Sequence, residues 1–243
     1  MSNATVVLVH GAMHGSWCWE RVVEGLWEQR IPSIAVDLPG RGAHRDRAVG
    51  ISESVAVIRE AIGDAGTPVV LCGHSAAGVP ITVVGSEDDR VCRLVYLAAF
   101  MPGPEEDMAT LTDGAWARVL PHLVVDADGM GIASEASAAE LFYHDCSAED
   151  VRWAFQRLVR ERLPSAEEAA RAGQATGLAP WTRIATTYVI CRDDRALPPQ
   201  VQREMAAKAQ TVLEWPTSHS PFLSRPDLLV TLLAEYASSV GDQ

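Results

Sequence analysis

The sequence predicts an α/β fold, a mainly parallel sheet of about six strands flanked by helices, with a helical cap inserted after the fourth strand. Three observations carry that expectation. Short β-branched runs alternate along the chain with longer stretches of helical period. The runs are apolar on both faces, the pattern of strands buried between two helical layers. One interval, between Phe100 and Thr186, is far too long for a simple crossover.

In order, the strand candidates are "TVVLV" (5–9), "SIAVD" (33–37), "PVVLC" (68–72), "RLVYLAAF" (93–100), "TTYVIC" (186–191) and "TVLEW" (211–215). Helical periodicity fills the intervals at about 17–30, 52–64, 75–86, 197–209 and 225–239. Alternation of this kind gives a parallel sheet covered on both sides. The expected division is a core formed by 1–102 and 183–243, with 103–182 as the helical cap. Within the cap, "SAEDVRWAFQRLVRERL" (147–163) reads as one amphipathic helix. Ser147 is its N-cap, and Asp150 completes a pattern like a capping box. No internal repeat or low-complexity tract interrupts the chain.

Composition excludes several classes of function. The chain has 243 residues, 48% of them apolar and 21% charged, which suits one globular unit with a sizeable core. A net charge of −12, with no basic cluster, argues against nucleic acid and anionic membranes as partners. The opening "MSNATVVLVHGA" lacks a basic n-region and a long apolar h-region, so no secretory signal is expected. Apolar runs stay well short of the roughly 18 residues of a membrane span. Five cysteines without a C-x-x-C pair suit a reducing cytoplasm and speak against zinc. Cys72 and Cys191, in apolar runs, read as buried thiols.

The chemistry concentrates around "VLCGHSAAGV" (70–79). A strand, then small-x-Ser-x-small, then a helix is a nucleophile elbow. Small residues at Gly73 and Ala77 let strand and helix approach, and the turn holds Ser75 Oγ at the carboxyl edge of the sheet. The usual pattern ends in glycine; here Ala77 precedes Gly78. Taken alone, such a turn also arises for packing, and three further stretches favour catalysis. In "LVHGAMHGSWCW" (8–19) the first strand runs into His10-Gly11. Acyl transfer needs two N–H donors for the oxyanion, and Ala76 and Ala12 are the candidates. "CRDDRALPP" (191–199) places Asp193 and Asp194 beyond a strand, and "PTSHSPF" (216–222) places His219 on the loop after the last one. Serine, acid and histidine follow in the chain order of α/β-hydrolases. Imidazole takes the serine proton near neutral pH, and the acid fixes its tautomer. Asp194, in a D-x-x-L-x-P context, is preferred to Asp193 as that acid.

The remaining histidines have plainer readings. His74 packs beside the elbow, and His10 and His14 brace the oxyanion loop, with His14 also a pocket candidate. His44, His122 and His144 read as loop or cap-surface residues. Trp17, Trp19, Phe100, Met101, Trp116, Phe142 and Trp153 read mostly as core residues, with some of the cap set facing the cleft. The candidate pocket is Gly11, His14, Trp17, Phe100, Trp116, Phe142 and Leu197, since a cap over the serine must be lined by something.

The stretches "LVHGAMHGSWCW", "GHSAAG", "YLAAFMP", "CSAED", "CRDDRALPP" and "SHSPFLSRP" resemble a group of small α/β-hydrolases. That group comprises plant methylesterases, salicylate-binding esterases, hydroxynitrile lyases and related bacterial carboxylesterases. The resemblance runs over nearly the whole chain. It implies a six-stranded core with a helical cap, no cofactor or metal, and Ser75, Asp194 and His219 as the triad. Two positions depart from the lyases, which have Thr after the first histidine of the oxyanion loop and Lys after the triad histidine. Here those positions are Gly11 and Ser220. The expected activity is therefore hydrolysis of a small carboxylic ester through an acyl-serine, with a methyl ester of an aromatic or apolar acid as the leading case. Lyase or acyl-transfer chemistry in the same pocket, or a hydrolase-derived binding protein, are the alternatives. The expected partner is the small-molecule ester, with homodimerisation left open.

Overall fold

The structure is a computed structural model, and it describes residues 3–65, 68–104, 106, 119–162 and 178–239. Its main sheet is built from β1 (Thr5–Val9), β2 (Ser33–Val36), β3 (Val69–His74), β4 (Val91–Leu97), β8 (Ala185–Cys191) and β9 (Thr211–Trp215). The strands lie in the order β2-β1-β3-β4-β8-β9, and every pairing is parallel.

Alternation along the central strands explains why their sequences are apolar throughout. Val6, Leu8, Val70 and Cys72 enter one core with Trp19, Val22 and Leu26, and with Leu229 and Leu233 of α7 (Pro226–Ser239). Val22 and Leu26 belong to α1 (Glu20–Glu28). Val7, Val9, Val69 and Leu71 enter a second core on the opposite face. There they meet Ile58 and Ile62 of α2 (Ile51–Ala65), Ile81 and Val84 of α3 (Gly78–Glu87), and Met205 of α6 (Pro199–Ala206). Each such side chain contributes about 1.5–3 kcal/mol on burial, so a polar residue at either parity would be costly. Edge strand β9 is different: its residues alternate between half-buried and exposed, with Val212 facing solvent.

Between β4 and β8 the chain leaves the sheet. The described part contains an antiparallel sheet of β5 (Leu123–Val125), β6 (Met130–Ala133) and β7 (Glu161–Arg162). It also holds α4 (Glu135–Leu141) and α5 (Ala148–Phe155). Ser147 caps α5, its Oγ accepting from the Asp150 N–H at 3.1 Å. The short strands depart from the sequence-based expectation, which placed helices alone here. The helix expected over 147–163 also stops early, at Phe155. Tertiary pairing takes over: Val159 N–H donates to Met13 O at 2.9 Å, and Glu161–Arg162 join β6.

A parallel sheet brings the carboxyl ends of its strands to one edge. The loops leaving β1, β3, β4, β8 and β9 therefore converge, and the candidate residues stand on them.

Candidate active site

The turn from β3 into the following helix is tight. Ser75 has φ of 54°, a left-handed conformation that costs a non-glycine residue about 1–2 kcal/mol. Its carbonyl accepts from the Phe100 N–H at 3.0 Å, which pins the turn against the loop after β4. The close approach falls one residue later than the usual pattern suggests. A Cβ at Gly78 would lie 1.9 Å from Phe100 O, so Gly78 is the position where backbone meets backbone. Buried Ala77 is small enough beside it. Gly73 serves helix packing, since a Cβ there would meet Ile81 Cδ1 at 2.8 Å.

Asp194 and His219 meet across the ends of β8 and β9. His219 Nδ1–H donates to Asp194 Oδ2 at 2.6 Å, and both residues are buried. The other carboxylate oxygen accepts the N–H groups of Ala196 and Leu197, each at 2.8 Å. Gln202 of α6 completes the set, donating from Nε2 to Asp194 Oδ2 at 2.8 Å and to Leu197 O at 2.7 Å. Its Oε1 accepts the Cys191 N–H at 2.9 Å, so this fully buried amide joins strand, acid and loop. Asp193 is half exposed and faces Arg192.

The histidine loop is held from two further directions. His74 Nε2–H donates to the His219 carbonyl at 2.9 Å, with the two rings 4.6 Å apart. Asp145, from the segment between β4 and β8, accepts the Ser218 N–H at 2.8 Å and the Ser224 hydroxyl at 2.9 Å. Burial, with His219 and His14 nearby, holds His74 well below the ordinary histidine value.

After β1, the loop 10–14 is fixed by its own histidines. His10 Nδ1–H donates to Gly11 O at 2.8 Å, while its Nε2 accepts the Leu38 N–H at 3.0 Å. His14 Nδ1–H donates to Ala12 O at 2.7 Å, and the Tyr143 hydroxyl donates to its Nε2 at 2.7 Å. Burial pushes His10 down to about 4 and His14 down to about 3, so both are neutral at neutral pH. Gly11 packs directly on the elbow: a Cβ there would sit 2.8 Å from Ser75 Cβ.

One cleft draws these loops together. Ala12, His14, Ser75, Ala76 and His219 line it, and Phe100, Phe142 and Leu197 supply apolar walls. Two pocket expectations need correction. Gly11 does not line the cleft, because it is wedged beneath Ser75 and His74. Trp17 stands behind the wall, stacked on His14 at 5.4 Å and edge-on to Trp153. Trp116 lies outside the described residues. Met13, Val119 and Ala196 line the cleft without having been anticipated. Ala196 lay close to the predicted acid and could have been found from it; Val119 carried no signal.

A six-stranded parallel sheet with a left-handed serine after β3 and an acid-held histidine after the last strand defines an α/β-hydrolase. The alpha/beta hydrolase family model matches residues 6–232, and the chain belongs to that family. Among curated relatives, the esterase PIR7B of Oryza sativa subsp. japonica is 29% identical, covering 85% of this chain and 84% of the relative. The pyrethroid hydrolase of Sphingobium wenxiniae is 26% identical over 100% of this chain and 90% of its own. In fold, the chain is similar to tomato methylketone synthase I, with a TM-score of 0.86 at 23% identity, covering 98% and 99% of the two chains.

Proposed function

We propose that the protein is a serine hydrolase of small carboxylic esters. The observation that carries this reading is the shared cleft, in which a strained, left-handed Ser75 and an Asp194-held His219 stand among apolar walls. Similarity to proteins named esterase and pyrethroid hydrolase supports it.

In this reading Ser75 Oγ attacks the ester carbonyl carbon as His219 Nε2 takes the hydroxyl proton. Asp194 keeps the imidazole in the Nδ1–H tautomer and stabilises the imidazolium. The N–H groups of Ala12 and Ala76 receive the oxyanion, each donor contributing about 3–4 kcal/mol to the transition state. Collapse breaks the C–O bond, and His219 returns its proton to the departing alcohol. Water, activated by the same imidazole, then releases the acid and restores Ser75.

The cleft walls set the substrate class. Met13, Phe100, Val119, Phe142, Ala196 and Leu197 present apolar surface, which suits a compact apolar or aromatic acyl group, with a methyl ester as the leading case. Segment 103–182 acts as a cap in this reading, since Val119 and Phe142 come from it. Binding and chemistry are assigned to this chain's own side chains, with no cofactor.

A fluorophosphonate tests the assignment. The expected adduct maps to Ser75, and Ser75→Ala loses on the order of 10⁴–10⁶ in ester turnover. An adduct on another residue, or wild-type turnover by Ser75→Ala, would overturn it.

A further inference from the structure

We propose that Glu161 and Arg41 are positioning residues that hold the loop carrying Ala12 in its oxyanion-binding shape, clamping it through the backbone of Met13. The inference rests on the ester-hydrolase reading above, which assigns the Ala12 N–H as a donor. Met13 has φ of 62°, and a left-handed non-glycine residue persists only where its surroundings over-determine it. Here both backbone groups of Met13 are taken by β7 and the residues before it. The Met13 N–H donates to Glu161 Oε2, and Met13 O accepts the Val159 N–H at 2.9 Å.

Arg41 completes the clamp. Its Nη2 donates to the same Glu161 oxygen at 2.7 Å, and its Nε donates to His14 O at 2.9 Å. Arg41 is 7% exposed, so this guanidinium is a buried group tying the carboxylate to the next peptide of the loop. Along the loop, Gly11 O is held by His10, Ala12 O by His14, the Met13 groups by Glu161 and Val159, and His14 O by Arg41. The peptides on both sides of Ala12 Cα are thereby fixed. The Ala12 N–H itself has no partner among the described residues, and Ala12 lines the cleft. Glu161 and Arg41 do not line it, so they act through the loop and not on the substrate.

A fixed N–H is worth most in the transition state, where charge appears on the oxygen. Loosening the clamp therefore lowers kcat while leaving ground-state binding nearly intact. The test uses the full chain with p-nitrophenyl acetate and, separately, a trifluoromethyl ketone whose adduct on Ser75 carries an oxyanion. Glu161→Ala is expected to lose about 10–100-fold in kcat with KM changed by less than about threefold, and to weaken ketone inhibition in parallel. Glu161→Gln keeps an acceptor for the Met13 N–H and is expected to stay within about fivefold of wild type. Arg21→Ala cuts a different tie to the same segment, the pair with Asp150, together with one bond to Leu223 O, and is expected to stay within about twofold.

Unchanged kcat in Glu161→Ala, a loss expressed wholly in KM, or an equal kcat loss in Arg21→Ala overturns the proposal. Should Glu161→Ala not fold, Glu161→Asp, one methylene shorter, carries the same test at about tenfold, and unchanged kcat there overturns it as well. Wild-type labelling by a fluorophosphonate separates the two readings. No adduct on Ser75 sinks the hydrolase reading itself; an adduct on Ser75 with an indifferent Glu161→Ala sinks this inference alone.

Discussion

Asp194, the proposed acid, shows how little of a side chain's surroundings is visible in its own motif. Asp194 could be preferred to Asp193 from the D-x-x-L-x-P context, and its carboxylate does meet His219 Nδ1 at 2.6 Å. What fills its remaining acceptor positions was not legible. Gln202 sits eight residues further on, one of two glutamines in a polar helix, and only its packing reveals that it is fully buried. Gly11 and Trp17 were misjudged for a related reason: nearness in sequence to a site does not say which side of the wall a residue occupies. Asp194→Asn is expected to lose about 10⁴ in kcat through the wrong imidazole tautomer, while Asp193→Asn stays near wild type. Gln202→Leu strips a donor from Asp194 and from Leu197 O, and an acceptor from the Cys191 N–H. Each buried orphan costs about 1–3 kcal/mol, so urea unfolding should report a marked loss of stability. Steady-state kinetics should show kcat falling by about tenfold or more, because the acid loses its fixed orientation. A Gln202→Leu protein with wild-type kcat would mean that Asp194 is held well enough by Ala196 and Leu197 alone.

Among the elements, the central sheet strands were readable because burial on both faces leaves an apolar run that loops do not imitate, and the edge strands β2 and β9 because β-branched residues stand in short runs between helical stretches. The strands of the small antiparallel sheet were not, and their length explains it. β7 has two residues and β5 three, too few for a period to register. The early end of α5 likewise has no local cause in the sequence. It follows from Val159 and Glu161 being drawn to Met13, a partner far away along the chain. The C-cap residue of α4, Phe142, ties this inserted segment to the proposed site. Its ring lies 6.0 Å from His14 and 5.9 Å from His219, and its carbonyl accepts the Ser218 hydroxyl at 3.0 Å. The carbonyl contact survives substitution, so Phe142→Ala removes cleft wall and leaves that hydrogen bond available. Relative kcat/KM among p-nitrophenyl esters of rising acyl size should then shift by about 1–3 kcal/mol toward bulkier acids. An unchanged ranking would show that the segment braces the histidine loop without selecting the acyl group.

At the scale of the whole molecule, three buried histidines make stability depend on pH in a window set by their environment. His10, His14 and His74 stand on the loops after β1 and at the end of β3, each buried. Burial is the leading cause that lowers all three, partly offset by hydrogen bonds to the carbonyls of Gly11, Ala12 and His219. The unfolded chain protonates its histidines near pH 6.5, whereas the folded chain holds His10 neutral down to about 4 and His14 down to about 3. Between those limits the unfolded state binds more protons, so stability is full above about pH 6.5 and falls as pH drops. Holding His10 alone neutral from pH 6.5 down to about 4 accounts for about 3 kcal/mol across that window. Carboxylates such as the partly buried Asp88 and the exposed Asp227, held below their ordinary range by Arg90 and Arg225, act only at lower pH. Urea midpoints measured from pH 7.5 to 4.5 should therefore decline from about pH 6.5 onward, before the carboxylates contribute. His10→Asn removes one of the three groups and should flatten the slope by about one proton, whatever it does to stability at pH 7.5. A midpoint that stays level down to pH 5 would mean that the folded protein takes up these protons with its loops intact. The three imidazoles would then be poor anchors for the peptides beside Ser75, because a protonated His14 can no longer accept from Tyr143.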